Sequence, residues 1–202
     1  MRIVGLTGGI GAGKSAASEM FRRHGAEVID VDGLGRAVLE PSGGAYEAVI
    51  ARFGERIVAP GGQIDRAALA GIVFADREDL DALEAISHPA INREIDRRLD
   101  DVAGRDPDAL VVLDMAILIG SRLGRDLPSG RRYDTVVVVD APEAVRIERL
   151  VSRRGMSESD ARARIAAQPT DAERYAVADH VLVNDGDLDA LDRAVAELIG
   201  SL

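Results

Sequence analysis

The segment Gly8-Gly9-Ile10-Gly11-Ala12-Gly13-Lys14-Ser15 constrains this chain more than any other. It matches G-x-x-x-x-G-K-[ST], a spacing that should arise by chance in on the order of one in a hundred chains of this length. The run Arg2-Ile3-Val4-Gly5-Leu6-Thr7 before it is β-rich. After it, Ala17, Met20 and Phe21 recur at helical spacing, with Gly25 as a stop signal. Glu27-Val28-Ile29-Asp30 then reads as a second strand. Strand, glycine turn, helix and strand form a βαβ unit, which requires a parallel sheet with the turn at the strands' carboxyl end.

Each part of the motif suits the binding of an anion. Glycines let successive N–H groups turn inward, and the following helix adds the partial positive charge of its N-terminus. Gly9, Ile10, Gly11, Ala12, Gly13, Lys14 and Ser15 are therefore expected to hold ATP. Lys14 would reach the β- and γ-phosphates, and the Ser15 hydroxyl would ligate Mg²⁺. Lys14 is also the only lysine among 25 basic residues. Codon bias accounts for the arginines, and makes a lone lysine at a motif position more informative.

The composition, 47% hydrophobic and 30% charged over 202 residues, fits an ordinary soluble domain with excursions from it. No apolar run is long enough for a bilayer, and Met1 to Thr7 runs into the glycine turn without a leader's cleavage site. A cytoplasmic protein without membrane contacts is expected, as a monomer or small homo-oligomer. The absence of cysteine excludes disulfides, thiolate metal sites and a cysteine nucleophile. The scattered His24, His88 and His180 do not suggest a zinc site. A net charge of -10 repels nucleic acid, so none is expected as a partner, and an anionic ligand must be held by local positive features.

Residues 33–102 are mostly helical in pattern, broken at Pro41-Ser42-Gly43-Gly44 and Pro60-Gly61-Gly62. The longest stretch, Arg77 to Asp101, contains Pro89, which should kink or divide it. Ala109 to Asp114 and Thr135 to Asp140 are near-continuous apolar runs ending in aspartate, as expected of strands covered on both faces. Helical patterns follow over Ala144 to Arg154 and Ser157 to Ala167. A last strand spans His180 to Asn184, and a closing helix runs to Ile199 behind a capping Asp187. The expected fold class is α/β: a P-loop NTPase-like parallel sheet flanked by helices, with a helical substrate-binding insertion and an arginine-rich lid. The core would comprise 1–32, 103–145 and 176–202, the insertion 33–102 and the lid 146–175.

A phosphate loop serves kinases, GTPases and mechanical ATPases alike. Asn184-Asp185-Gly186-Asp187 lacks the lysine of a guanine-reading N-K-x-D segment, and no basic surface suits a polymer track. A small-molecule kinase needs an acid for the acceptor hydroxyl. Asp30 and Asp32 both qualify at the end of the second strand, where alternation would put them on one side, although either could cap the following helix. Asp114 is a candidate magnesium-associated acid, with Asp140 its rival. Arg146, Arg149 and Arg153 share a helical face, and with Arg154, Arg162 and Arg164 could form a cationic lid. About half of such a run is expected only to be solvated and paired with Glu143, Glu148 and Glu158.

The motifs taken together resemble the dephospho-coenzyme A kinase family along essentially the whole chain. The likeness is carried by Gly5 to Ser15, by Ile29-Asp30-Val31-Asp32 with Arg36, and by Ile64-Asp65-Arg66 with Leu69 and Phe74. It continues through His88-Pro89-Ala90-Ile91, Arg149 and Arg153, Gln168, Ala178-Asp179, and Asn184 with Gly186. The resemblance implies transfer of the ATP γ-phosphoryl to the ribose 3′-hydroxyl of 3′-dephospho-CoA, with Mg²⁺ accompanying the nucleotide. It implies that Asp32 activates the hydroxyl, that Lys14 and Arg149 act on the phosphates, and that Asn184 and Gly186 lie near the adenine. Arg36, Asp65, Arg66 and His88 would belong to the acceptor side. One segment departs from the family: Ala116-Ile117-Leu118-Ile119-Gly120 stands where P-L-L-F-E is usual, which bears on acceptor binding more than on phosphoryl transfer. Another small-metabolite P-loop kinase, or a nucleotide-binding protein without turnover, is the alternative.

Overall fold

The computed structural model describes all 202 residues, which divide into two compact units. The first comprises Met1–Ile29, Asp101–Ser121 and Arg132–Leu202; the second comprises Asp30–Asp100 and Arg122–Arg131.

The first unit is built on a five-stranded sheet of β1 (Arg2–Gly8), β2 (Glu27–Asp30), β3 (Leu110–Asp114), β4 (Thr135–Asp140) and β5 (His180–Val183), ordered β2-β3-β1-β4-β5. β1 pairs in parallel with β3 and β4, and β4 with β5. The expected α/β class is therefore what the chain adopts. Alternate residues of the central strands, Val4, Leu6, Val112, Val137 and Val139, face one helical layer. That layer is α1 (Lys14–Arg23), with Ala17, Met20 and Phe21, and α9 (Leu188–Ser201), with Leu191, Val195 and Leu198. Removing a fully buried ring such as Phe21 from such a layer costs about 3–5 kcal/mol. A smaller cluster joins α6 (Glu143–Arg154) and α7 (Glu158–Ala166) through Ile147, Leu150 and Ala161, and Ile10 of the glycine turn packs onto it.

The caps behave as their side chains require. Asp187 accepts from the Ala190 N–H at 2.7 Å, and Ser157 from the Asp160 N–H at 3.1 Å. A helix not expected from the pattern, α8 (Asp171–Val177), starts with a capping box in which Thr170 and Glu173 exchange hydrogen bonds.

The second unit is helical. It contains α2 (Val31–Ala37), α3 (Tyr46–Phe53), a 3₁₀ turn at Glu55–Ile57, α4 (Arg66–Val73) and most of α5 (Arg77–Arg105). Pro89 does not divide α5, which runs through it for 29 residues. The missing N–H releases one carbonyl, but Ile91, Ile95, Leu99 and Val102 are buried along a single face, and that packing outweighs the lost bond. Residues 122–131 return to the same helix. The Asn92 side chain accepts from the Gly124 N–H at 3.0 Å, and the Asp96 carboxylate takes the Ser129 N–H at 2.8 Å and Arg131 at 2.8 Å. Burial pushes the Asp96 carboxyl up, and the hydrogen bonds from Ser129 and the charge of Arg131 more than reverse this, so it sits below its ordinary value.

Candidate active site

The glycine turn joins β1 to α1 at the carboxyl end of the strand. Gly11 (φ 80°) and Gly13 (φ 104°) lie in the left-handed region that other residues avoid. Gly13 is required twice over, because a Cβ there would lie 2.1 Å from the Asn184 amide nitrogen. α1 begins without a side-chain cap and without an acid of its own in the first turn, so its first N–H groups are left uncapped by side chains. Ser15 is exposed at that end.

Two sets of side chains brace the turn. On one side the Lys14 ammonium is paired with the Asp114 carboxylate at the end of β3, and the Ser18 hydroxyl donates to the other oxygen of Asp114 at 2.6 Å. On the other, Asn184, buried just after β5, donates to the Ala12 carbonyl at 2.7 Å. Arg149 of α6 reaches the same carbonyl at 3.3 Å and the Asn184 side-chain oxygen at 3.4 Å. The Ile10 N–H donates to the Gln168 side chain at 2.8 Å, tying the turn to the segment after α7. Gly186 follows in the exposed bend before α9.

The arginines of α6 and α7 divide by burial. Arg146 is 1% exposed, donates to both oxygens of Asp171 at 3.0 and 3.1 Å, and lies close enough to Gly9 that a Cβ there would meet its Nη1 at 2.6 Å. Arg149 is half-buried against the turn, whereas Arg153, Arg154, Arg162 and Arg164 are exposed, and Arg162 pairs with Glu158 at 2.8 Å. Arg174 of α8, also buried, shares Asp171.

The fourth wall is the atypical segment. Ala116 accepts a hydrogen bond from the Thr7 hydroxyl at 3.3 Å, and Leu118 is buried while Ile117 is 70% exposed. With Gln168, Pro169 and Arg174 this segment encloses a cavity of about 320 Å³ that opens onto Thr7 and Gly8. No cluster of three acidic, histidine or cysteine ligands exists for a resident metal. The exposed Ser15 hydroxyl and the Asp114 carboxylate are oxygen donors of the kind Mg²⁺ takes, an ion that keeps most of its ligands as water and phosphate.

In the second unit the acidic pair resolves differently from strand alternation. β2 ends at Asp30, whose carboxylate caps α2 by accepting from the Gly33 N–H at 2.8 Å and pairs with Arg36 at 3.3 Å. Val31 is already helical, so Asp32 sits half-buried in the first turn of α2 and not on a continuing strand. Asp65 caps α4 through the Ala67 and Ala68 N–H groups at 2.9 and 3.0 Å, and Arg66 pairs with Glu40 at 2.9 Å. His88 is half-buried on α5, where burial lowers its pKa against the opposing charge of Glu84.

The motifs, the sheet order and the braced turn can be compared with known proteins. The family model for dephospho-CoA kinase (CoaE) matches residues 2–190. The chain belongs to the dephospho-CoA kinase family. A dephospho-CoA kinase of Streptomyces avermitilis is 44% identical over 199 residues, covering 98% of this chain and 93% of that protein. The crystal structure of TT1252 from Thermus thermophilus superposes with a TM-score of 0.77 at 34% identity, covering 100% of this chain and 97% of that one. A dephospho-CoA kinase structure from Campylobacter jejuni, at 21% identity and TM-score 0.68, covers 100% of this chain and 97% of its own and shares the fold.

Sequence reasoning missed Ser18, Asp171 and Arg174. Ser18 lies four residues after Lys14, one helical turn on, so both reach the same carboxylate; that spacing was a usable signal. Asp171 and Arg174 sit at i, i+3 on a helix too short and polar to register as periodic.

Proposed function

We propose that the chain transfers the γ-phosphoryl of ATP to the ribose 3′-hydroxyl of 3′-dephospho-CoA, giving ADP and coenzyme A. The reading is carried by membership of the dephospho-CoA kinase family over almost the whole length of the chain. The glycine turn with Lys14, Asp114, Arg149 and Asn184 supports it as a nucleotide site.

In this reading the N–H groups of Gly9 to Ser15 cradle the phosphates, and Lys14 exchanges part of its pairing with Asp114 for β- and γ-phosphate oxygens. Mg²⁺ bound with ATP would be held by Ser15, with Asp114 nearby, and would neutralise charge on the phosphates. Arg149 is positioned against the turn to stabilise charge that develops in transfer. Asn184 and Gly186 border the adenine of ATP. Asp32 accepts the proton of the acceptor hydroxyl. It is better suited to this than Asp30, whose carboxylate already caps α2. Residues 33–102, with Arg36, Asp65, Arg66 and His88, form the acceptor subdomain, and 146–175 form the lid.

The test is ADP release with a panel of acceptors and water as control. Stimulation by dephospho-CoA alone is expected. Stimulation by another acceptor redirects the assignment, and none at all leaves a binding protein without turnover. In the same assay Asp32→Asn lowers kcat with ATP affinity retained; lost ATP binding assigns Asp32 a structural or metal role instead.

A further inference from the structure

A second cationic site lies within the helical unit, in a groove of about 380 Å³ between α2, the 42–44 turn and α5. Its floor is apolar: Leu34 and Val38 from one side, Ala90 from the other, all buried. Its rim is not. Ala90, Arg93, Glu94, Arg97 and Arg98 repeat at i, i+3, i+4, i+7 and i+8 and so occupy one face of α5. This sets three guanidinium groups against one carboxylate on a chain whose net charge is -10. Glu94 pairs with Arg97 at 2.8 Å and Arg98 at 3.0 Å. The hydrogen bond from Arg97, with further help from Arg98, holds its pKa at about 2 against the opposing effect of burial, so it stays ionised. Arg93 makes no hydrogen bond or ion pair in the chain.

The turn opposite adds donors. Gly43 is forced to be glycine, since a Cβ would lie 2.3 Å from the Val38 carbonyl oxygen, and this close approach holds the turn against the end of α2. Gly43 spends its own N–H on Glu40, whereas the Ser42 and Gly44 N–H groups meet no carbonyl of the chain. Ser42, Gly44 and Arg93 all line the groove. Unspent backbone donors and an unpaired guanidinium above an apolar floor are what a phosphate ester with an apolar body requires. Leu34, Ala37 and Val38 share the face of α2 that lines the groove, while Asp32 and Arg36 share the other. The groove is therefore distinct from the surface that presents Asp32.

We propose that this groove binds the phosphate or diphosphate group of an organic phosphate ester through Arg93 and the Ser42 and Gly44 N–H groups. The inference does not depend on the proposed reaction, because binding can be read without turnover. The full chain, labelled with ¹⁵N and free of ATP, is titrated with pyrophosphate and followed by amide NMR. Saturable shifts of Ser42 and Gly44 are expected. In Arg93→Ala they weaken by about tenfold or more, and Arg93→Lys restores part of the effect. The amides of Gly11 and Gly13 respond in all three proteins and report that each is folded. The proposal is overturned if Ser42 and Gly44 do not respond while the glycine turn does, or if Arg93→Ala leaves their response unchanged. Two sources of the ligand are then separated. If dephospho-CoA shifts these amides and adenosine does not, the groove holds the acceptor's own diphosphate. If pyrophosphate acts and dephospho-CoA does not, it holds a separate phosphorylated effector.

Discussion

β3 and β4 flank β1, and both end in an aspartate that is almost fully buried. The two carboxylates nevertheless have different neighbours. Asp114 faces α1 and has a partner there for each oxygen, the Lys14 ammonium on one and the Ser18 hydroxyl on the other. Asp140 faces α8, where one oxygen accepts from the Tyr175 hydroxyl at 2.6 Å and the other has no partner. Near Tyr175, Arg146 and Arg174 are buried with several N–H groups unpaired and share Asp171 between them. The β3 side is thus a charge pair beside the glycine turn, the pair that the proposed function shares with a nucleotide. The β4 side is an incompletely satisfied charged cluster that holds helices together. A buried carboxylate takes its role from the helix packed over its strand end, and substitutions at the two ends should separate those roles.

The largest effect is expected at Lys14. On the proposed function, Lys14→Ala should lower kcat by about 10³-fold or more, because it removes the one ammonium at the glycine turn. Near-normal ADP release from this variant would remove the β3 side from the chemistry altogether. Asp114→Asn should follow, with kcat lower by about 10²-fold and a loss of about 1–3 kcal/mol of stability, since Lys14 and Ser18 lose a charged acceptor. A purely thermal effect would make Asp114 a structural partner only. Arg149→Ala should reduce kcat/KM for ATP by about 10-fold to 10²-fold with little change in Tm; an unchanged kcat/KM would place it with the solvated arginines.

The β4 end should behave in the opposite way. Asp140→Asn is expected to lower stability by about 1–2 kcal/mol, or roughly 2–8 °C in Tm, with kcat nearly unchanged. A large fall in kcat would erase the contrast between the two strand ends. The smallest effect belongs to Tyr175→Phe, at about 1 kcal/mol. The hydrogen bond to Asp140 raises the Tyr175 pKa above its ordinary 10.0. A raised pKa contributes stability that is present below the unfolded value and lost as pH rises through the folded one. The difference in stability between wild type and Tyr175→Phe should therefore be constant near neutral pH and shrink above about pH 10; denaturant titrations at several pH values would measure it.

Much of the site was readable before any coordinates. The glycine turn, Lys14 and Ser15 are recognisable because an anion cradle needs those residues consecutively, and the flanking strand and helix have short-range periodicity. The cap at Asp187 was readable for the same reason: a side chain bonds an N–H three residues away. The division of the arginine run was not. Arg146 and Arg149 stand three apart on one helix, yet the first is buried with Asp171 and the second lies on the glycine turn, because their partners come from other elements.

The sequence by itself determined the parallel α/β class, the phosphate-binding turn and the family. Each rests on consecutive residues or on motifs in order along the chain. The tertiary structure decided which acid serves which base. Lys14 and Asp114 are 100 residues apart in sequence, and they meet because β3, not β4, lies on the side of β1 that α1's first turn overlooks. It decided that Asp30 caps a helix beginning at Val31, which puts Asp32 in the first helical turn and not on the strand, and that α5 runs unbroken through Pro89. It also assigned residues 122–131 to the helical unit, through Asn92 and Asp96. Local propensity acts over a turn of helix or a pair of strand residues. Side chains buried far apart in sequence acquire partners only when the whole sheet order and its packed helices are in place.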